Sequence, residues 1–253
     1  MPPQTEKRIP KRLKKEPLLE AVWELRFVGD PAVGAALPGA LREKLRAGSR
    51  TVALEILPLA KVPVEFRNVQ EQLRYGHTHA LRVDGYTILT GDHVVALSVL
   101  KPYPGWKDFK TRILELADWV RDLGIVKDPQ TFSIRYIDFF EGSSSETLKL
   151  LATNIQIGNM TPASGEIHLQ MPVNIEGLQG LLQVRNPAQL TSGAGETRGL
   201  ISDVLVAAEM PHTPDPWNGF EARLEKAKTL CHRLFFSLLK SDTIEAMDPV
   251  YEE

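Results

Sequence analysis

Glu20-Ala21-Val22-Trp23-Glu24-Leu25-Arg26-Phe27 decides the fold class. The octet alternates strictly. Ala21, Trp23, Leu25 and Phe27 fall on one face, and Glu20, Val22, Glu24 and Arg26 on the other. A period of two marks a strand with one face on a core and the other toward solvent or a polar groove. A second segment, Ser133-Ile134-Arg135-Tyr136-Ile137-Asp138-Phe139-Phe140, has the same look, with an arginine inside an apolar and aromatic run. The two strands are expected near each other in one sheet.

Working outward, Gly29, Asp30 and Pro31 close the first strand. Pro38 and Gly39 predict the start of a short helix over 40–45, ended near Gly48. Residues 51–57 and 62–70 read as two more strands. A hairpin-rich region follows, with strands over 80–83, 86–90 and 93–100 separated by the turn pairs Asp84-Gly85 and Gly91-Asp92. The link Lys101-Pro102-Tyr103-Pro104-Gly105-Trp106 leads into a helix. Its stripe is Trp106, Phe109, Ile113, Leu116, Ala117, Val120 and Leu123, and Gly124 is its expected C-cap.

Beyond Gly142 a short helix is expected over 147–153. Residues 166–173 alternate, with Ile167, Leu169, Met171 and Val173 on one face. Strands are read at 181–184 and 200–207, with a loop over 191–199 between them. Asp215-Pro216 reads as an N-cap and first-turn proline. The helix it would open runs to Lys240, striped by Phe220, Leu224, Ala227, Cys231, Leu234 and Leu238. Most strand-to-strand links are too short for parallel crossovers. The expectation is therefore an α+β fold, a mostly antiparallel sheet with two long amphipathic helices. The chain divides as a basic extended arm (1–17), one sheet-plus-helix half (18–142) and another (143–253). This order suits two related halves or one continuous domain.

The 253 residues are 43% hydrophobic and 25% charged, an ordinary globular balance that can bury a core without staples. Cys231 is the single cysteine, so no internal disulfide forms, and a reducing, cytoplasmic setting is expected. No secretory leader pattern or membrane-length apolar run is read. A net charge of -2 argues against a dedicated duplex-DNA binder. Lys7, Arg8, Lys11, Arg12, Lys14 and Lys15 form a basic head, which suits either a phosphate-touching arm or a solvated terminus.

Two imidazoles, His77 and His79, would share a strand face, and His93 lies one hairpin away. That is part of a metal-ligand set for a hydrolase, or else a group of surface histidines. Cys231 lies on an apolar stripe, and His232 beside it points about 100° away, so the pair is no nucleophilic dyad by spacing. Phosphate-cradling glycine loops and nucleophile elbows are absent from the sequence, and no cofactor is expected.

The polar residues within strands say more, because charge inside an apolar strand is costly unless paired or solvated. Glu24 and Arg26 share a face. Arg135 lies in the other strand, with Asp138 close by on the opposite face. They suit a structural ion-pair network or a partner-binding groove floored by the sheet. Tyr103 and Trp106 in the proline-rich link join them as binding candidates.

These pieces together resemble a sporadically distributed family of bacterial proteins of about this length with no settled function. The resemblance rests on Pro17 to Phe27, Leu97 to Trp106, Ile134-Arg135-Tyr136-Ile137, Leu200 to Val204, and His232 with Phe235 and Phe236. Asp138 departs from it, standing where the family carries asparagine. The resemblance implies one architecture over the whole chain and an accessory, defence or toxin–antitoxin linked system, and it supplies no reaction. The expected function is non-catalytic binding of another protein or of a second copy. A metal-dependent hydrolase and a nucleic-acid binder are the alternatives.

Overall fold

A computed structural model describes residues 8–29, 31–156, 158–159, 161–162, 165–193 and 195–251. The chain begins with β1 (Arg12–Leu13) and β2 (Leu18–Val28), followed by α1 (Pro31–Ala47) and β3 (Ala53–Ile56). A single 3-10 turn, α2 (Val64–Val69) and α3 (Glu71–Arg74) lead to β4 (His79–Val83), β5 (Tyr86–Thr90) and β6 (Val94–Leu100). Then come α4 (Trp106–Leu123), β7 (Asp128–Glu141) and α5 (Ser144–Leu148). The remainder is β8 (Ile167–Ile175), β9 (Leu178–Ser192), β10 (Gly195–Glu209), α6 (Phe220–Leu238), α7 (Ser241–Ala246) and β11 (Pro249–Val250).

Nine strands form one antiparallel sheet in the order β3-β4-β5-β6-β2-β7-β10-β9-β8. The two segments singled out in the sequence, now β2 and β7, are direct neighbours at its centre, with Trp23 opposite Ile134 and Val22 opposite Arg135. The strands stack outward from β2 as β6, β5, β4, β3 and from β7 as β10, β9, β8. Alternation then sorts the sheet into two faces. On one, Ala21, Trp23, Leu25 and Phe27 of β2 are fully buried with Phe132 and Ile134 of β7 and Val204 and Val206 of β10. That face packs against Phe109, Ile113 and Leu116 of α4 and Leu224, Ala227 and Cys231 of α6. Trp23 meets Phe220 of α6 edge to face at 6.2 Å between ring centres, the geometry aromatic quadrupoles favour.

The α+β class and the antiparallel sheet are as expected, and so is α4, closed by Gly124 with φ 63°. Among the described residues three long helices pack here rather than two. Pro38 does not open a short helix but lies inside the 17-residue α1, because Val33, Leu37, Leu41 and Leu45 recur every fourth residue and all bury. Residues 64–69 within the expected 62–70 strand are helical. The expected loop over 191–199 is instead largely the paired ends of β9 and β10, with Thr191 opposite Glu196. Asp215 caps only a turn, its carboxylate accepting from Trp217 N at 3.1 Å. The last helix starts later, after Gly219.

The described part of the basic head is tied down rather than extended into solvent. Its β1 pairs with β11, Arg12 opposite Val250. Lys15 Nζ lies 3.1 Å from Asp248 Oδ2, and Arg8 stacks 5.1 Å from the centre of the Tyr251 ring. Leu13 buries in a second core with Phe140, Leu200 and Phe236. Lys7 lies outside the described residues. Among the described residues no helix is long and apolar enough to cross a membrane.

Candidate functional site

The face opposite the helices carries the polar half of β2 and a mixture of polar and apolar side chains from β7, β10, β9 and β8. Register places its residues in rows that cross the sheet. One row reads Glu24, Ser133, Ala207, Gln179, Asn174. The next is Val22, Arg135, Leu205, Leu181, Pro172, and the third Glu20, Ile137, Asp203, Gln183, Gln170. Beyond them Phe139, Ile201, Arg185 and His168 form a fourth.

The segment between β3 and β4 covers part of this face. Tyr75 lies under the Arg26 guanidinium, 4.6 Å from ring centre to guanidinium carbon, and His77 Nε2 is 3.8 Å from Glu24 Oε2. Val94 and Ala96, which share the face with Glu24, are fully buried. Arg67 of α2 holds the segment in place. Its Nε donates to Asp92 Oδ2 at 2.7 Å and its Nη2 to Oδ1 at 3.0 Å, while Nη1 donates to the Val62 carbonyl. An arginine fork on a carboxylate is among the strongest side-chain pairings.

Past that cover the face is open, and it forms a cavity of about 610 Å³. Glu24 and Arg26 stand at one end, and Pro172, Val173 and Asn174 of β8 at the other. Ser133, Leu205, Ala207 and Leu181 lie between them. Arg26 Nε donates to Glu24 Oε1 at 2.7 Å. Arg135 Nε donates to Asp203 Oδ1 at 2.8 Å, and its Nη2 to Oδ2. That hydrogen bond, more than the nearby charge of Asp203, Glu20 and Glu24, raises the Arg135 pKa against the opposing effect of burial. A second cavity of about 210 Å³ lies farther along β9 and β10, lined by Arg185, Pro187, Gln189, Arg198 and Ile201.

Of the residues singled out in the sequence, Glu24, Arg26 and Arg135 share this face. Asp138 does not. It points to the helix side beside Ser202, and burial, then Glu16 and Asp203, pushes its carboxyl well above the usual range. Tyr103 and Trp106 also lie away from the groove. The Tyr103 hydroxyl is 3.5 Å from that of Tyr136, and burial raises its pKa. Trp106 Nε1 donates to Glu225 of α6 at 3.0 Å. The proline-rich link thus fastens the helix layer to the sheet and adds nothing to the open face.

His77, His79 and His93 do not assemble into a ligand set. His93 uses both ring nitrogens. Nδ1 accepts from Gly29 N at 3.0 Å, so Nε2 carries the proton and donates to Asn68 Oδ1 at 3.1 Å. Burial, then Arg74, lowers its pKa and keeps it neutral. His79 turns its Nδ1 to Thr78, and His77 lies by Glu24. Among the described residues no group of three or more His, Cys, Asp and Glu side chains is placed to hold a metal ion. Cys231 is buried against the Ile134 carbonyl and its thiol pKa is pushed up by that burial, which disfavours the thiolate a nucleophile needs.

Sequence reasoning did not single out Leu181, Leu205, Ala207, Asn174, Gln179 or Asp203. Apolar and amide residues in strands carry no chemical flag. Asp203 did carry one, as a lone acid in the apolar run of 200–207, matching the signal that marked Arg135.

Compared with models of known protein families the chain matches none, and compared with curated proteins it likewise finds no match.

Proposed function

We propose that this protein is a non-catalytic binding component of an accessory bacterial system, defence or toxin–antitoxin linked, and that it holds a partner protein on the open face of its sheet. The observation that carries the reading is the 610 Å³ cavity across β2, β7, β10, β9 and β8. Its floor mixes apolar side chains with hydroxyl and amide groups, and its charged residues are engaged with one another. Such a lining suits recognition of a polypeptide surface. The reading keeps the protein in the cytoplasm, where Cys231 stays a thiol.

The same reading treats the chain as two related sheet-plus-helix units. With the division placed before β7 rather than after residue 142, each runs strand, helix, antiparallel strands, helix, and the mirrored stacking outward from β2 and from β7 supports it. The groove then lies mainly on the second unit, because the segment between β3 and β4 covers the first.

Ala207→Trp tests the function. Ala207 is half-buried on the cavity floor, so an indole there fills the cavity and leaves the helix-side core untouched. A partner that co-purifies with the wild-type chain from its native cytosol should be lost from the variant, with circular dichroism unchanged. Retention of the partner at the wild-type level would sink the reading.

A further inference from the structure

The outer strands of the sheet, β3 and β8, do not treat their free edges alike. The Glu176-Gly177 turn joins Ile175 of β8 to Leu178 of β9, with its residues at φ 54° and 79°. The pair that closes a two-residue hairpin exchanges both backbone hydrogen bonds. Counted back by twos, Val173, Met171 and Leu169 bond toward β9, while Asn174, Pro172 and Gln170 turn their backbone outward. Pro172 therefore stands where this edge would otherwise offer an N–H, and blunts it.

The same count leaves β3 open. Val83 and Tyr86 close the Asp84-Gly85 turn, so Ala80 and Arg82 bond toward β3, opposite Glu55 and Ala53. Leu57 N, donating to the Thr78 carbonyl at 2.8 Å, keeps that phase. Leu54 and Ile56 are left with N–H and C=O facing away from β4, and among the described residues no strand lies beyond them. Their side chains fall on the helix side, Leu54 in a row with Leu81, Ile88 and Leu97. Both are nevertheless exposed, Ile56 at 65%. An apolar edge with unpaired backbone is a template for a further strand.

We infer that the further strand is β3 of a second copy of this chain, antiparallel and related by a two-fold axis at Leu54. The sequence around Leu54 is self-complementary in that register. Leu54 faces Leu54 of the other copy, and Val52 faces its Ile56, all on the helix side. On the open face Glu55 faces Ala53 of the other copy, and the next residue in that row is Arg82. Each acid thus comes within reach of a second guanidinium across a methyl group. An axis at Glu55 would instead set two carboxylates directly opposite each other, which is unfavourable. The inference does not depend on the groove reading, because β3 is the end of the sheet away from the groove. The dimer carries two grooves, so a partner with two matching segments gains avidity.

A strand pair this short makes a small interface, for which a Kd of about 1–100 μM is expected. Sedimentation velocity on the full chain from about 5 to 500 μM brackets that value, and the wild type should pass from monomer to dimer. Ile56→Lys sets a charge against Val52 of the other copy, and Leu54→Pro removes an outward N–H as Pro172 does on β8. Each should weaken association about tenfold or more. Ile56→Lys alters only an exposed side chain, so it carries the test if circular dichroism shows that Leu54→Pro disturbs the fold. Register is read by cross-linking, with Cys231 buried and out of the way. Leu54→Cys should give a disulfide-linked dimer on mild oxidation, since hydrogen-bonded opposite residues lie about 5.5 Å apart between Cα atoms. Ile56→Cys should not, since its counterpart lies about 13 Å along the strand. A wild type that stays monomeric throughout would overturn the inference. So would a dimer that Ile56→Lys leaves intact, or one cross-linked through Ile56→Cys instead of Leu54→Cys.

Discussion

Arg135 of β7 grips Asp203 of β10 through two nitrogens, Nε donating to Oδ1 at 2.8 Å and Nη2 to Oδ2. The pair is asymmetric in exposure, because the Arg135 side chain is 41% exposed and that of Asp203 only 9%. Removing the arginine therefore strands a buried carboxylate, while removing the carboxylate leaves a cation that water can reach. Arg135→Met should cost about 2–4 kcal/mol, and Asp203→Asn about 1 kcal/mol. Urea denaturation of the two variants at neutral pH checks the order. Equal losses would show that burial does not set the balance.

Arg67 and Asp92 are buried on both sides, at 10% and 6% exposure. Arg67→Met should cost about 3–5 kcal/mol, more than Arg135→Met. Gly34→Ala should act in the same direction, since a Cβ there would come within 2.2 Å of Asp92 Oδ1. Chemical denaturation measures both. A loss under about 1 kcal/mol for Arg67→Met would show that the segment covering β5 and β6 is held by something else.

Asp138 gives a pH dependence with a definite sign. Its folded-state pKa lies well above the ordinary value, through burial and then the neighbouring acids Glu16 and Asp203. Its Oδ2 has no hydrogen-bond partner. The folded protein keeps this proton after the unfolded chain, with a pKa of about 3.9, has released it. Its contribution is complete below about pH 4 and is lost as pH climbs toward the folded pKa. Asp138→Asn cannot titrate, so it should match wild type near pH 4 and exceed it by about 1–3 kcal/mol at pH 7. Thermal melts across that range decide, and a variant less stable at pH 7 would give the carboxylate a structural role.

Leu13 is 5% exposed within the second core, although it belongs to the basic head. Leu13→Ala should cost about 2–4 kcal/mol. Lys15→Ala should cost under about 1 kcal/mol, since its pairing with Asp248 is exposed. Melting temperatures of the two variants test whether packing or charge ties the head to the tail.

Much of the architecture was legible. β2 and α4 carry clean periods of two and of three and four, β6 is a continuous apolar run, and Asp84-Gly85 marks its turn between β4 and β5. The candidate site was legible in part. Glu24, Arg26 and Arg135 drew notice as charges in apolar strands, but Leu181, Leu205 and Ala207 look like any core residues until the sheet shows that they face away from the helices. The segment 62–70 misled because Val62, Val64 and Phe66 alternate like a strand. Phe66 is 61% exposed in the folded protein, so the alternation is not one of burial.

By itself the sequence determined which residues share a face within each regular element. Alternation along β2 and the stripe of α4 are properties of the local chain, set by the strand and helix repeats. The tertiary structure decided which charges are paired, neutral or free. Arg135 meets an acid 68 residues away, and Arg67 meets one 25 residues away. Asp138 is raised by burial under the helix layer. A charged group's energy depends on solvent and on partners brought from elsewhere in the chain, so only the assembled sheet could settle which side chains remain available to a ligand.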